Sequence, residues 1–310
     1  MKTRWYIALV LLALGSAECI FRNAETSSSG DTLFNYFFYD EKLRRRGLIQ
    51  DGGVFHANYQ MRVNQRGFRD AKSWPPTPDK SRRRIVVGAA GHGYGENLSD
   101  EEIYVRRLEK SLNQVASIPI DVFNLSVQGS TILFFERALL DEVLQSKPDA
   151  VILSYGGFNE ALQTSLPEAS VLFPHNPLYN LVMSSATVRA SRQWIGSFRG
   201  RRHRVTPKEM IASYTRIHNE LQKTDIDLFI LQQLVVFPDI EGLWKLSDMD
   251  YYRQGLLEFS REKDIPLIDP LPHCTVLESC FERMEWYSAA GHEAVLQSFR
   301  PHFERLSGGG

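Results

Sequence analysis

The sequence predicts an α/β protein, a three-layer sandwich built on a five-stranded parallel sheet. Three observations carry that reading. Apolar runs at 85–87, 118–123, 150–155, 227–236 and 265–268 have the length and composition of buried strands. Stretches with helical signals separate and follow them, and strands alternating with helices of this length form parallel sheets covered on both faces. Polar residues set among glycines follow the first three runs, where an open parallel sheet holds its ligands.

The N-terminal segment reads as targeting rather than fold. Lys2 and Arg4 precede an apolar run over 5–14, and Gly15, Ser16 and Ala17 supply the small residues of a signal cleavage site. The run is shorter than the roughly 20 residues of a comfortable membrane span, so an uncleaved anchor is the second choice. Cys19 follows Glu18, not the small residue a lipid-attachment box would have. The expected division is a signal peptide over 1–17, an irregular or β-rich arm over 18–79 and the α/β domain over 80–310. Export to the periplasm or the extracellular space follows, with membrane contact only through the N-terminal segment.

Within the domain, Ser99 and Glu102 form a capping-box pattern that opens a helix whose Ile103, Val105 or Leu108 and Leu112 face the sheet. Further helices are expected near 131–145, 207–222, 248–262 and 289–306. Cys274 and Cys280 lie in a loop-like stretch between the last strand and the last helix. In an oxidising compartment they suit a small disulfide-closed loop worth about 2 kcal/mol; the alternative is two unrelated buried thiols.

Composition excludes some partners. With 310 residues, 43% hydrophobic, the chain can bury a sizeable core, and a formal charge of −1 gives no overall field for nucleic acid. The basic clusters Arg44–Arg46, Arg82–Arg84 and Arg201–Arg204 lack interleaved aromatics and read as solvated faces. The eight histidines show no metal-ligand spacing, so no metal and no cofactor is expected. Of the sequons at Asn97 and Asn124, the second sits at a strand end where glycosylation would be obstructed.

Five stretches together resemble the SGNH (GDSL-like) hydrolases, a family of esterases, lipases and carbohydrate deacetylases, in its exported bacterial form. NYQMRVNQRGFRD resembles the stretch before the first strand, and RIVVGAAGHGYGENLSDEE the strand, nucleophile turn and first helix. NLSVQGST, YGGFNEA and EWYSAAGHEAV resemble the second, third and last blocks. The resemblance implies a flavodoxin-like SGNH-hydrolase fold, with an oxyanion-hole amide from Gly129 and an oxyanion-hole side chain from Asn159.

It also implies where a triad would be. A serine must pass its proton to a histidine that an aspartate orients, while fixed donors hold the oxyanion; losing one donor costs about 100-fold or more in rate. Anchored on Tyr94-Gly95-Glu96 and Ser99-Asp100, the nucleophile slot falls on Gly91. Anchored on Ser288 to Gly291, the histidine slot falls on Trp286 and the aspartate slot on Arg283. All three are substituted. His92 is a stand-in candidate, read more simply as an exposed loop histidine; Ser130 could reach the cleft as a nucleophile, and Asp269, His273 and His292 lie near the chain end. Two functions follow: an impaired relative binding a small-molecule, acyl-ester or glycan ligand, or an active esterase, lipase or carbohydrate O-acyl esterase with displaced catalytic residues. A purely structural role is the third.

Overall fold

A computed structural model describes residues 54–56, 59–62, 64, 68–74, 79, 81–95, 98–127, 129–161, 163–164, 202–234, 246–283 and 286–308. The expected signal segment and Cys19 lie outside these residues, as does most of the arm. The described part of the arm contains an antiparallel hairpin, β1 (Val54–His56) with β2 (Tyr59–Met61).

The domain then runs β3 (Arg83–Ala89), α1 (Gly91–Tyr94), α2 (Tyr104–Val115), β4 (Ile120–Asn124), α3 (Ile132–Phe134), a π turn (Phe135–Leu139), α4 (Leu140–Ser146), β5 (Ala150–Ser154) and α5 (Phe158–Ala161). After a short ladder of β6 (Gln163–Thr164) with β7 (Arg202–His203) come α6 (Pro207–Gln222), β8 (Asp227–Leu231), α7 (Leu246–Lys263) and β9 (Leu267–Ile268). The chain closes with β10 (Phe281–Arg283), β11 (Trp286–Tyr287), α8 (Ala289–Phe299) and α9 (Phe303–Ser307).

The five-stranded sheet is parallel throughout, in the order β4-β3-β5-β8-β9. Strand alternation divides the core in two. Ile85, Val87, Val122, Ile152 and Phe229 face α2 and α8, which contribute Tyr104, Leu108, Leu112, Val295 and Phe299. Val86, Phe123, Val151, Leu153 and Ile230 face the other layer, with Phe135, Met210, Tyr214, Tyr252 and Leu256. Burying both faces explains why the strands read as continuous apolar runs.

Several expected boundaries are corrected. Ser99 and Glu102 form a turn ahead of the helix, with Ser99 donating to the Glu102 carboxylate from its amide (2.8 Å) and hydroxyl (2.6 Å). Helix α2 begins only at Tyr104, whose N–H donates to His292 Nδ1 (2.9 Å). Asp100 is held instead by Arg62 and Arg69, which keeps the chain out of helix there. The expected helix over 289–306 is interrupted at 300–302, where Pro301 cannot donate a helical hydrogen bond. The expected strand over 227–236 stops at Leu231, where its neighbour β9 also ends.

One arginine in each of two basic clusters departs from the expected solvated face. Arg84 is buried and donates to the Ser146 carbonyl (2.6 Å), and Arg204 is buried against the Gly129 turn. Among the described residues no helix is long and apolar enough to cross a membrane.

Candidate functional site

The carboxyl ends of β3, β4 and β5 meet at one edge of the sheet, beside the point where strand order reverses. Gly91 is the first residue of α1, separated from β3 by Ala90 alone. The turn is glycine-rich for steric reasons. A Cβ on Gly93 would lie 2.4 Å from Ser126 Oγ, and one on Gly95, at φ 72°, would lie 2.3 Å from Ile103. Arg69, fully buried, reaches in from the arm and donates to the carbonyls of Tyr94 (2.8 Å), Gly95 and Leu98, and to Asp100.

His92 departs from the expected exposed histidine. Helix α1 turns its side chain inward, where it is 1% exposed and packs 5.2 Å from the Tyr287 ring. Its Nε2 lies 2.8 Å from Ser154 Oγ, and that hydroxyl donates to the Leu231 carbonyl (2.8 Å). Ser154 has one proton to give, so the histidine donates and the serine accepts. That is the reverse of a serine activated by a general base. Burial pushes the imidazole down to about 3, which keeps it neutral and weakly basic.

The second turn holds Gly129 at φ 70°, with Arg204 Nη1 donating to its carbonyl (2.5 Å). Ser130, the candidate nucleophile beside it, is buried and its hydroxyl donates to the Val127 carbonyl (2.6 Å). In the third turn Asn159 is buried on α5, next to the buried Glu160. Asn124 is also buried and donates to the Gly93 carbonyl (3.0 Å), so the sequon there has no exposed amide.

The last block forms the β10–β11 ladder, in which Arg283 and Trp286, the expected aspartate and histidine slots, are paired across the strands. Helix α1 packs against β11, so the fold brings the Gly91 and Trp286 backbones into one neighbourhood. Cys274 and Cys280 are disulfide-bonded with Cα atoms 6.3 Å apart, and the loop they close docks on α8. Ser288 caps that helix by accepting from the Gly291 amide (3.2 Å).

The remaining candidates are dispersed. Asp269 accepts from the Leu271 amide (3.0 Å) in a local turn, and His273 is exposed. His292 is buried, stacks on Tyr104 at 5.5 Å and caps α2 through Nδ1. Burial, with smaller repulsion from His92, Arg69 and Arg107, pushes it down to about 3. No group of His, Cys, Asp and Glu among the described residues is placed to hold a metal ion. Sequence reasoning missed Ser154, Glu160, Arg69 and Arg204. Only Glu160 had a local signal, as the acidic residue after Asn159 in YGGFNEA.

No family model matches the chain, and no curated protein matches it by sequence. Solved structures do. A lipase/acylhydrolase from Enterococcus faecalis superposes with a TM-score of 0.51 at 14% identity, covering 73% of this chain and 96% of that one. The chain has the SGNH-hydrolase fold. TesA superposes with a TM-score of 0.50 at 12% identity, covering 72% of this chain and 99% of its own. At such identities the likeness carries the SGNH-hydrolase fold and nothing finer.

Proposed function

We propose that this is an exported, catalytically impaired protein of SGNH-hydrolase fold that binds an acyl-ester or glycan ligand in a cleft at Gly91, Gly129 and Asn159. The observation that carries the reading is the state of His92, the histidine nearest the nucleophile slot. It is buried, neutral and committed as a donor to Ser154, so it offers no lone pair on Nε2 to a nucleophile. Glycine occupies the slot itself, and the Ser130 hydroxyl is turned to the backbone. A lipase/acylhydrolase among the fold neighbours supports the acyl-ester class of ligand. The disulfide supports export; free thiols at both cysteines in secreted protein would remove that support.

The test is turnover of a short-chain chromogenic ester by the purified protein, with Asn159→Ala as control. The expected rate equals that of buffer for both. Saturable hydrolysis that Asn159→Ala lowers would favour the second reading, an active esterase with displaced residues. The observation on its side is the 2.8 Å contact between Ser154 and His92.

A further inference from the structure

Glu160 touches both turns that carry the donors. Its Oε1 accepts from the Ile132 amide (3.0 Å), the first residue of α3 and three positions after Gly129; its Oε2 accepts from the Gly157 amide (3.1 Å), two positions before Asn159. Its own carbonyl accepts from the Val205 amide (3.1 Å). Arg204, next to Val205, donates to the Gly129 carbonyl. One fully buried carboxylate thus spans from the third turn to the second, and its backbone ties both to the chain that enters α6.

We propose that Glu160 is a positioning residue whose ionised carboxylate locks the Gly129 turn to the Asn159 turn, and that protonation releases one side of the lock and so makes the cleft sensitive to pH. The chemistry is a matter of acceptor count. An ionised carboxylate accepts from both amides, whereas the acid turns one oxygen into a hydroxyl donor that no longer serves its amide. The range is physiological. Burial pushes the carboxyl up to about 7, and the backbone amides of Ile132, Gly157 and Gly156 pull it back only in part.

Among the described residues, the ionisable side chains around Glu160 are Tyr214, Tyr252, Arg204 and His203, whose ring packs 5.9 Å from that of Tyr252. Tyr214 of α6 is held well above its ordinary range by burial and exchanges hydrogen bonds with the backbone of Tyr155. Tyr252 of α7 donates to the Val205 carbonyl (2.5 Å), with its hydroxyl oxygen 3.4 Å from the Glu160 carbonyl, and Arg204 donates to the Gly129 carbonyl. The inference rests on the ligand-binding reading only in taking these two turns as the cleft wall.

The experiment needs no ligand. In uniformly 15N-labelled protein, the backbone amides of Gly129, Ile132, Gly157 and Asn159 are followed by NMR between about pH 5.5 and 8.5, a range that brackets the carboxyl's transition. All four are expected to shift with a common midpoint near 7. Glu160→Gln should abolish the transition, and Glu160→Asp should restore one with a common midpoint. Amides that stay still in the wild type, that move with separate midpoints, or that titrate unchanged in Glu160→Gln would overturn the proposal. Should Glu160→Gln fail to fold, the wild type and Glu160→Asp spectra decide. Ester turnover by the wild type would sink the ligand-binding reading and leave this midpoint where it is.

Discussion

At the scale of single residues, Arg69 shows how a side chain far from a turn sets its shape. Its guanidinium donates to three carbonyls at and just beyond the end of α1 and pairs with Asp100, with no exposure to solvent. Arg69→Met would fill the space and take the guanidinium's hydrogen bonds away from those carbonyls and from Asp100. The expected cost is about 3–5 kcal/mol, read as a lower urea midpoint at unchanged slope. Arg69→Lys should recover less than half, since an ammonium cannot present the planar fork. A loss below about 1 kcal/mol would contradict this account. RGFRD was legible as a stretch before the first strand, but Arg69's partners lie 25 to 31 residues away and no local pattern encodes them. His92 was misread for the same reason: glycine-rich surroundings suggest exposure, and only α1 packing under β11 turns the ring inward.

At the scale of elements, periodicity and caps were informative wherever the helix ended on its own signals. Helix α6 runs over Pro207–Gln222, with a Thr206–Glu209 capping box at its start. Helix α2 was misplaced because a distant histidine, His292, receives its first amide. The π turn after α3 has no signature in the sequence that we recognise. Helix α8 carries a sharper prediction at Gly291. In an open helix, replacing glycine by alanine gains about 1 kcal/mol. Here the new Cβ would lie 2.2 Å from the Cys280 carbonyl oxygen and 2.9 Å from Tyr287 Cβ, so backbone must shift. Overpacking of that kind costs about 1–3 kcal/mol, and it outweighs the gain. Gly291→Ala is expected to melt below the wild type by about 2–4 °C per kcal/mol lost. An equal or higher Tm would show that the disulfide loop yields freely.

At the scale of the whole molecule, buried groups set the pH dependence of stability with opposite signs, and the three with the largest shifts in this range are His92, His292 and Glu160; His218 and His302 are lowered as well and add to the histidines' side. His92 and His292 are depressed from 6.5 to about 3. Their contribution is complete above pH 6.5 and is lost as pH falls, because the unfolded chain takes up protons first. Each loses about 2 kcal/mol by pH 5. Glu160 is raised from 4.5 to about 7, so its contribution is complete below 4.5 and is lost as pH rises to 7. From pH 7 to 5 it regains about 2 kcal/mol. The histidines win, and urea melts should show a net loss of about 1–2 kcal/mol between pH 7 and 5, steepening to about 3–4 kcal/mol in Glu160→Gln. A loss that is the same in both proteins would remove Glu160 from the balance. The fold was legible at this scale because both sheet faces are buried and the strands stand out as apolar runs. The state of the site was not, because it depends on which way His92 and Ser154 point.

The central claim is that no serine in this fold is activated. Incubation with a serine-reactive fluorophosphonate, followed by peptide mass spectrometry, tests it most directly. The account predicts no modified serine, including at Ser126, Ser130 and Ser154, under conditions that saturate an active serine esterase. Stoichiometric labelling of Ser154, abolished by His92→Ala, would contradict it and make the buried pair a working nucleophile and base.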